Sequence, residues 1–372
     1  MKRRVVIVGA GPAGIGLAVA LKDFKIPDVV VLDRHEVGAS FNRWPEEMRL
    51  ITPSFNSTPF GILDLNAIAL STSVANYLGH EHPTGAEYAR YLKAVAAACH
   101  VNVRTGVDVA EVESLDGGGL LLHTSDGPMD AGFVIWAAGE FQFPELNGFD
   151  GSGLCVHSSQ VSSFRDLPGE ERVVIGAFES GVDAAVHLAR RGVRVTLVNG
   201  KPELDTADQD PSRSLSPFTR TRLESVCREN ENLRVAHNCR VMEVSKAHVH
   251  YVVHFDDGDS VISDHPPIMA TGFRGGLGPV EHLFEYREDG NVRLTEDDES
   301  TFTRGLFLAG PLVRHEHHIF CYIYKFRQRF AVIAETLADR LGIEVPDGLL
   351  ELYERNQMRL VDLSCCGAEC VC

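Results

Sequence analysis

An α/β fold is predicted by one pattern that occurs twice along the chain. An apolar strand over residues 4–8 leads into a glycine-rich loop, a helix to about Phe24 and a second apolar strand that ends in Asp33. The same succession begins again at Arg172. Since each copy has the periodicity of a βαβ unit, we expect two Rossmann-like dinucleotide-binding domains, the second inserted in the first, followed by a cysteine-rich C-terminal tail.

Composition and charge exclude several function classes. The chain has 372 residues, of which 44% are hydrophobic and 23% charged, as in ordinary globular proteins with a sizeable core. The net charge of −17 would repel a phosphate backbone, so we expect no nucleic-acid partner. No apolar run reaches membrane-spanning length, and Gly9, Gly11 and Pro12 interrupt the short apolar run that follows the basic start. We therefore expect a cytoplasmic protein without a membrane partner.

The loop after the first strand has the spacing of a dinucleotide site, Gly9-Ala10-Gly11-Pro12-Ala13-Gly14. Gly9 permits a tight turn, Gly11 lets a pyrophosphate approach the backbone, and Gly14 lets the helix pack close to the sheet. The helix N-terminus offers N–H groups to the phosphates, and Pro12 loses no helical hydrogen bond there. Asp33, nineteen residues after Gly14, can accept both ribose hydroxyls.

Further elements follow along the chain. We expect irregular structure over 38–65, a helix over Gly85–Ala98, an apolar strand over 133–138 and a helix over 319–341. A polar helix near 348–360 should precede the tail.

With these patterns the chain resembles flavoproteins that carry two dinucleotide-binding domains, among them thioredoxin reductases, pyridine nucleotide-disulfide oxidoreductases and flavin-containing monooxygenases. The resemblance covers nearly all of residues 1–342. It rests on the first loop with Asp33, on two crossover turns and on a late strand before a helix, namely Ala137-Ala138-Gly139, Ala270-Thr271-Gly272 and residues 305–310.

The resemblance implies the division of the chain and its cofactors. Residues 1–165 and 272–345 would form a discontinuous FAD-binding domain, residues 166–271 an NAD(P)H-binding-like domain, and residues 346–372 a C-terminal helix and cysteine-rich tail. The activity implied is that of an FAD-dependent oxidoreductase, and a homodimer is common in such families.

The resemblance also implies which residues contact FAD besides the first loop and Asp33. They are Arg34, Phe41, Arg43, Trp44, Ala138, Gly139, Gly310, Pro311 and Leu312. One departure is visible, because the late turn is usually followed by an aspartate that holds the ribityl hydroxyls. Here Pro311 takes that place, which weakens one FAD contact.

The second glycine loop is Gly176-Ala177-Phe178-Glu179-Ser180-Gly181. The resemblance implies NAD(P)H contacts from Gly176, Ser180 and Gly181. However, Phe178 stands where the middle glycine should be, at the place where a pyrophosphate needs bare backbone, and this departure opposes NAD(P)H binding. Asn199, rather than an acid, ends the following strand, so NADPH is favoured over NADH if either binds.

Four cysteines crowd the last eight residues, at Cys365, Cys366, Cys370 and Cys372. Thiolates so close together can exchange disulfides, and thiolates also select soft metals. We therefore expect these cysteines to be catalytic, passing electrons from NAD(P)H or a dithiol through FAD to a small-molecule or protein disulfide, or to a soft-metal substrate. A solvent-exposed tail without a redox role is the alternative.

Other reaction classes stay open. A monooxygenase would carry an identifier sequence that begins with phenylalanine, but Gly151 stands there, ahead of Gly153 and His157. The alternative is a domain-linking segment with a surface histidine. A thiol oxidase needs no nicotinamide, which Phe178 favours, and a redox-sensing or metal-sensing flavoprotein would not be an enzyme.

A histidine-rich segment follows the late strand, comprising His315, Glu316, His317 and His318. These side chains could act as acid, base or metal ligands near the flavin. We favour the alternative of a polar loop that caps the helix over 319–341, and we assign no metal site.

Overall fold

The computed structural model describes residues 4–56, 62–204, 208, 210–229, 231–316 and 318–364. His317 and the four tail cysteines lie outside these residues. The chain divides into two compact units. Unit 1 comprises Met1–Asn42, Thr52–Glu140 and Gly275–Cys372, and unit 2 comprises Arg43–Ile51 and Phe141–Arg274.

A five-stranded parallel sheet forms the centre of unit 1. Its strands, in spatial order, are Leu306–Leu308, Phe133–Trp136, Val5–Val8, Val29–Asp33 and Val103–Thr105. Val5, Val6 and Ile7 have no exposed surface, as expected for a central parallel strand covered on both faces. The continuous apolar run that predicted this strand therefore reflects burial on both sides.

Helices and smaller sheets complete unit 1. An antiparallel sheet contains Val109–Ser114, Leu120–Thr124 and Gly127–Ala131. Two hairpins pair Glu285–Tyr286 with Val292–Arg293 and Arg314–His315 with His318–Ile319. The α-helices are Pro12–Asp23, Ala39–Asn42, Val74–Leu78, Gly85–Ala98, Ile323–Phe326, Phe330–Leu341 and Leu349–Arg355, and the 3₁₀ helices are Gly278–Leu283 and Arg327–Arg329.

Unit 2 repeats the plan of unit 1 on a smaller scale. Its parallel sheet has the spatial order Leu233–His237, Arg194–Asn199, Glu171–Ile175, Ile268–Met269 and Val156–His157. An antiparallel sheet contains Val241–Ala247, His250–Phe255 and Ser260–Ser263. The α-helices are Glu179–Arg190 and Pro217–Glu229, and the 3₁₀ helices are Ser152–Leu154 and Ser158–Gln160.

The predicted α/β class with parallel sheets is confirmed, but the helix expected over 319–341 begins later. His318 and Ile319 pair with the preceding strand in a hairpin, so the α-helix starts at Ile323. A 3₁₀ turn at Arg327–Arg329 then separates two helical segments. Both arginine side chains of this turn are buried and bonded to groups elsewhere in unit 1.

The compact units also divide the chain at different residues from those expected. The second segment of unit 1 ends at Glu140, rather than near 165. The reason is that Val156–His157 pairs with Ile268–Met269 and so joins the sheet of unit 2. Across the described part of the chain, no helix combines the length and the apolar character that crossing a bilayer requires.

Candidate functional site

Three turns meet at the carboxyl edge of the unit 1 sheet. The backbone N–H of Ala137 donates to the carbonyl of Val8 at 2.8 Å, and that of Ala309 donates to the carbonyl of Trp136 at 2.9 Å. These bonds continue the sheet into the first glycine loop, the crossover turn at 137–140 and the late turn at Gly310. Ligands of open parallel sheets bind at this edge.

The first glycine loop has the geometry that a pyrophosphate needs. Gly9 has φ +110°, and a Cβ added there would lie 2.3 Å from the carbonyl oxygen of Ala137. A Cβ at Gly14 would lie 1.9 Å from the carbonyl oxygen of Gly9, whereas one at Gly11 would meet no heavy atom within 4 Å. The space beside Gly11 is therefore open, and the loop fits the FAD that the sequence predicts.

Asp33 is held over this loop by the backbone. Its Oδ2 accepts the N–H of Ala10 and its Oδ1 accepts the N–H of His35, each at 2.8 Å. A carboxylate has about four acceptor positions, so both oxygens can still accept ribose hydroxyls. Arg34 beside it is exposed.

The other two turns lie close to the first loop within unit 1. Ala138 is half-buried, and Gly139 has φ +68° and accepts the N–H of Gly276 at 3.0 Å. A Cβ at Gly310 would lie 3.2 Å from the Cβ of Ala13, so the late turn packs on the first turn of the helix. Pro311 and Leu312, both half-buried, follow in this late turn.

A titratable pair stands at the same edge. Burial raises the pKa of Glu140, which directly follows the crossover turn, while the charge of Arg314 opposes that rise. Arg314 also donates to the carbonyl of Pro311 at 2.5 Å. The sequence did not single out either residue, because the acid belongs to no recognised motif and the arginine precedes the histidine-rich segment.

The predicted segment Phe41, Arg43 and Trp44 falls in two units. Phe41 belongs to unit 1, where its ring lies 4.8 Å from that of Tyr88. Arg43 and Trp44 belong to unit 2, where the indole lies 6.3 Å from the ring of Phe141. Their contact with FAD stays a prediction.

The second glycine loop follows the backbone path of the first. Gly176 has φ +101°, and a Cβ added there would lie 2.5 Å from the carbonyl oxygen of Ala270. A Cβ at Gly181 would lie 1.7 Å from the carbonyl oxygen of Gly176. Phe178 caps its helix with φ −109° and ψ −164°, close to the −82° and −170° of Gly11. The phenylalanine therefore occupies the middle glycine's place without altering the loop.

His157 is not on the surface, which contradicts that part of the domain-linking alternative. Its side chain is buried, with Nδ1 near the hydroxyl of Ser159 at 2.8 Å and Nε2 near the carbonyl of Gly272 at 3.1 Å. Burial lowers its pKa, and the bond to Gly272 opposes this. The residue pairs in the edge strand of the unit 2 sheet, so it holds the segment together inside that unit.

The histidine-rich segment contains a buried ionic network that the sequence did not predict. Asp298 has no exposed surface, and its carboxylate lies 2.5 Å from Nε2 of His315 and 2.9 Å from Nε of Arg329. Arg329 also donates to the carbonyl of Leu360 at 2.5 Å. His315 thus lies in a hairpin with an aspartate partner and does not cap the helix, which begins at Ile323.

Four of the described cysteines offer little nucleophilic character. Cys99, Cys155, Cys227 and Cys239 are free thiols. Burial raises the pKa of Cys155 to about 12 and also raises the pKa values of Cys99, Cys227 and Cys239. Because the thiolate is the nucleophile, these four are poor candidates for disulfide exchange.

Comparison with known proteins gives one family match. Residues 6–310 match the model of the pyridine nucleotide-disulphide oxidoreductases. The bacilliredoxin reductase Bdr of Bacillus subtilis is 22% identical over 343 residues, which span 91% of this chain and 99% of that protein. The indole-3-pyruvate monooxygenase YUCCA1 of Oryza sativa subsp. japonica is 28% identical over 207 residues, 52% of this chain and 47% of that relative, so the chain spans about half its length.

A solved structure shows the fold. The bacillithiol disulfide reductase Bdr (YpdA) from Staphylococcus aureus superposes with a TM-score of 0.74 at 17% identity, covering 91% of this chain and 99% of that one. Together with the family match, this supports FAD as the cofactor of this chain.

Proposed function

The chain belongs to the pyridine nucleotide-disulphide oxidoreductase family and is a flavin-dependent oxidoreductase, and we propose that it exchanges electrons with thiol and disulfide substrates through its C-terminal cysteines. The substrate would be a small-molecule or protein disulfide, or the corresponding dithiol. Two relatives that align with nearly their whole length are named as a bacilliredoxin reductase and a bacillithiol disulfide reductase.

The observation that carries the proposal is the anchoring of the segment before the tail. The N–H of Leu360 donates to the carbonyl of Gln328 at 2.9 Å, and its carbonyl accepts from the buried Arg329. Met358 and Tyr353 are buried, and the phenol of Tyr353 donates to Asp23 at 2.7 Å. The tail therefore starts from a fixed point on the FAD-binding unit.

The reach of the tail follows from its length. Cys365 is five residues from Leu360, and Cys372 is twelve residues from it. An extended chain spans at most about 3.5 Å per residue, so these thiols reach up to about 18 Å and about 42 Å from the anchor. Such a tail can serve both a group on unit 1 and an external substrate.

The chemistry assigned to the tail is thiol–disulfide exchange. One tail thiolate attacks the substrate S–S bond, which forms a mixed disulfide and releases one substrate thiol. A second tail thiolate attacks the mixed disulfide and releases the other substrate thiol, so the substrate gains two electrons and two protons and the tail holds a disulfide. FAD held by the first glycine loop would, in its reduced form, supply the two electrons and two protons that return the tail to its thiol form.

Residues of unit 1 prepare this exchange. Asp33 and the open backbone beside Gly11 orient the cofactor, while Arg329 fixes the start of the tail. Glu140, with its raised pKa, can hold or release a proton at its carboxyl group near the carboxyl edge of the sheet. A cytoplasmic location suits this chemistry, because a reducing compartment keeps clustered thiols available.

Truncation after Ser364 tests the proposal. The flavin of the full chain and of the truncated chain is photoreduced without oxygen and mixed with a disulfide such as oxidised glutathione. We expect truncation to slow flavin reoxidation about hundredfold or more, because the tethered thiols supply a high effective concentration. The matched control is Cys227→Ser, which removes a thiol of unit 2 outside the tail and should leave the rate unchanged.

The flavin absorbance of both chains checks that FAD is retained. Equal reoxidation rates for the full and truncated chains would exclude the tail from the mechanism. Loss of stoichiometric binding of mercury or copper(I), with reoxidation unchanged, would instead assign the tail to a soft-metal role.

Monooxygenase activity is the second candidate, favoured by the 28% identity to the YUCCA1 enzyme. Gly151, in place of the phenylalanine of the identifier, and the enclosed position of His157 oppose it. A flavin that consumes oxygen and inserts one of its atoms into a small molecule, equally well after truncation, would support this candidate.

A further inference from the structure

The helix Glu179–Arg190 has a carboxylate, that of Glu179, at its N-terminal end. Glu179 is the first residue of this helix, where the first loop has the uncharged Pro12. Its Oε1 accepts the backbone N–H of Ser216 at 2.5 Å, and its Oε2 accepts the hydroxyls of Ser216 at 3.2 Å and Thr219 at 2.5 Å. Ser216 and Thr219 are buried, so these donors are committed to the carboxylate.

The charge of this carboxylate opposes the binding of a phosphate at the same end of the helix. A helix N-terminus attracts anions through its free N–H groups and the positive end of its dipole. The Glu179 carboxylate is bonded to Ser216 and Thr219 and not to the N–H groups of its own helix, but its negative charge at the first helical position would repel a second anion nearby. The sequence interval that separates Glu179 from its partners, 37 and 40 residues, concealed this arrangement.

Asn199, at the strand end where a ribose would be bound, is committed to hydrogen bonds within its own turn. Asn199 ends its strand as Asp33 does in unit 1, but only 5% of it is exposed. Its amide Nδ2 donates to the carbonyls of Lys201 at 3.0 Å and Glu203 at 2.9 Å, and its Oδ1 accepts the N–H of Lys201 at 3.2 Å. The amide therefore stabilises its own turn, whereas the half-buried Asp33 keeps acceptor positions for a ribose.

Phe178 stands at the place in the loop where a pyrophosphate would need bare backbone. Its side chain, 43% exposed, projects from the residue whose counterpart in the first loop is bare backbone. A phenyl side chain at this position leaves less room for a pyrophosphate beside the backbone than glycine does.

We infer that the glycine loop of unit 2 does not bind a dinucleotide, because Phe178 replaces bare backbone, Glu179 adds a negative charge at the helix N-terminus and Asn199 bonds to its own turn. The consequence for electron supply rests on the proposed function. A dithiol substrate, rather than a nicotinamide at this loop, reduces the enzyme. The dithiol would form an S–S bond and lose two electrons and two protons, which FAD held by the first glycine loop would accept.

Equilibrium binding of NADP⁺ and NAD⁺ to the holoprotein tests the inference without relying on turnover. We expect no binding by the wild type at up to millimolar concentration. The double variant Phe178→Gly/Glu179→Gln opens the backbone and removes the charge, so it should bind at least one of the two with an affinity at least tenfold higher than the wild type. Phe302→Gly, which removes a phenylalanine that is 65% exposed in unit 1, is the matched control and should bind neither.

Two results overturn the inference. One is micromolar binding of either dinucleotide to the wild type, and the other is a correctly folded double variant that still fails to bind. Circular dichroism and flavin absorbance establish the folding of that variant, and Phe178→Gly alone serves as a milder replacement if the double variant does not fold.

Anaerobic titration of the flavin separates this inference from the proposed function. Bleaching by a dithiol such as dithiothreitol, without bleaching by NADPH, supports both. Rapid bleaching of the wild type by NADPH overturns the inference but leaves the tail chemistry in place. If neither donor bleaches the flavin while the dinucleotides still fail to bind, the inference about the second glycine loop is supported and the proposed thiol–disulfide function is refuted.

Discussion

Replacing Gly11 with phenylalanine would give the first loop the residue that the second loop carries at the same place. The backbone angles of Gly11, φ −82° and ψ −170°, are open to any residue, and Phe178 adopts nearly the same conformation. A Cβ at Gly11 would meet no heavy atom within 4 Å. We therefore expect the free energy of unfolding of the FAD-free protein to change by less than about 1 kcal/mol.

FAD binding should respond far more strongly than stability. Hydrogen bonds to charged groups contribute about 1.5–3 kcal/mol each. Displacing the pyrophosphate from two backbone N–H groups would cost about 3–6 kcal/mol, which corresponds to roughly a hundredfold to ten-thousandfold increase in Kd. FAD affinity changes more than stability because the added side chain enters space beside Gly11 that no protein atom occupies.

The assay is titration of the FAD-free protein with FAD, followed by flavin fluorescence, with urea unfolding measured in parallel. Gly117→Phe is the control, because Gly117 lies in an exposed turn of unit 1 and a Cβ there would also meet nothing within 4 Å. Retention of the wild-type FAD affinity by Gly11→Phe would refute the assignment of this loop. It would also remove the steric argument from Phe178.

Two further predictions concern stability. Gly14→Ala would place a Cβ 1.9 Å from the carbonyl oxygen of Gly9, so we expect a loss of about 2 kcal/mol or more, and an unchanged thermal midpoint of the FAD-free protein would contradict this. Burial raises the pKa of Glu140 despite the charge of Arg314. The protonated form therefore contributes stability below the pKa of an unfolded glutamate, and this contribution is lost as the pH rises through the pKa of the folded protein. Glu140→Gln should avoid this loss and be more stable than the wild type near neutral pH, with urea midpoints converging in acid; a difference independent of pH would count against burial as the cause.

Local requirements of the backbone made much of the fold and of the FAD loop predictable. Gly9 and Gly14 are needed where any side chain would strike a carbonyl, and the apolar run over Val5–Val8 reflects burial on both faces of the sheet. Such constraints act within a few residues, so they leave a pattern that can be read directly in the sequence.

Long-range pairing explains what could not be predicted. Asp298 meets His315 and Arg329 across 17 and 31 residues, and no spacing rule connects them. The start of the helix at Ile323 also depended on a hairpin whose strands have only two residues each. Sequence periodicity does not distinguish such short strands from the first turn of a helix.

The two glycine loops show which part of such a motif reports on a ligand. At Gly9 and Gly176, and again at Gly14 and Gly181, a Cβ would lie between 1.7 and 2.5 Å from a backbone oxygen of the protein itself. Strand and helix therefore demand these four glycines whether or not a dinucleotide binds. Only the middle position is free of the protein's own atoms, so glycine there reflects a ligand's need for space. By this reasoning we expect a cofactor beside Gly11 and none beside Phe178, although the two loops share one backbone path.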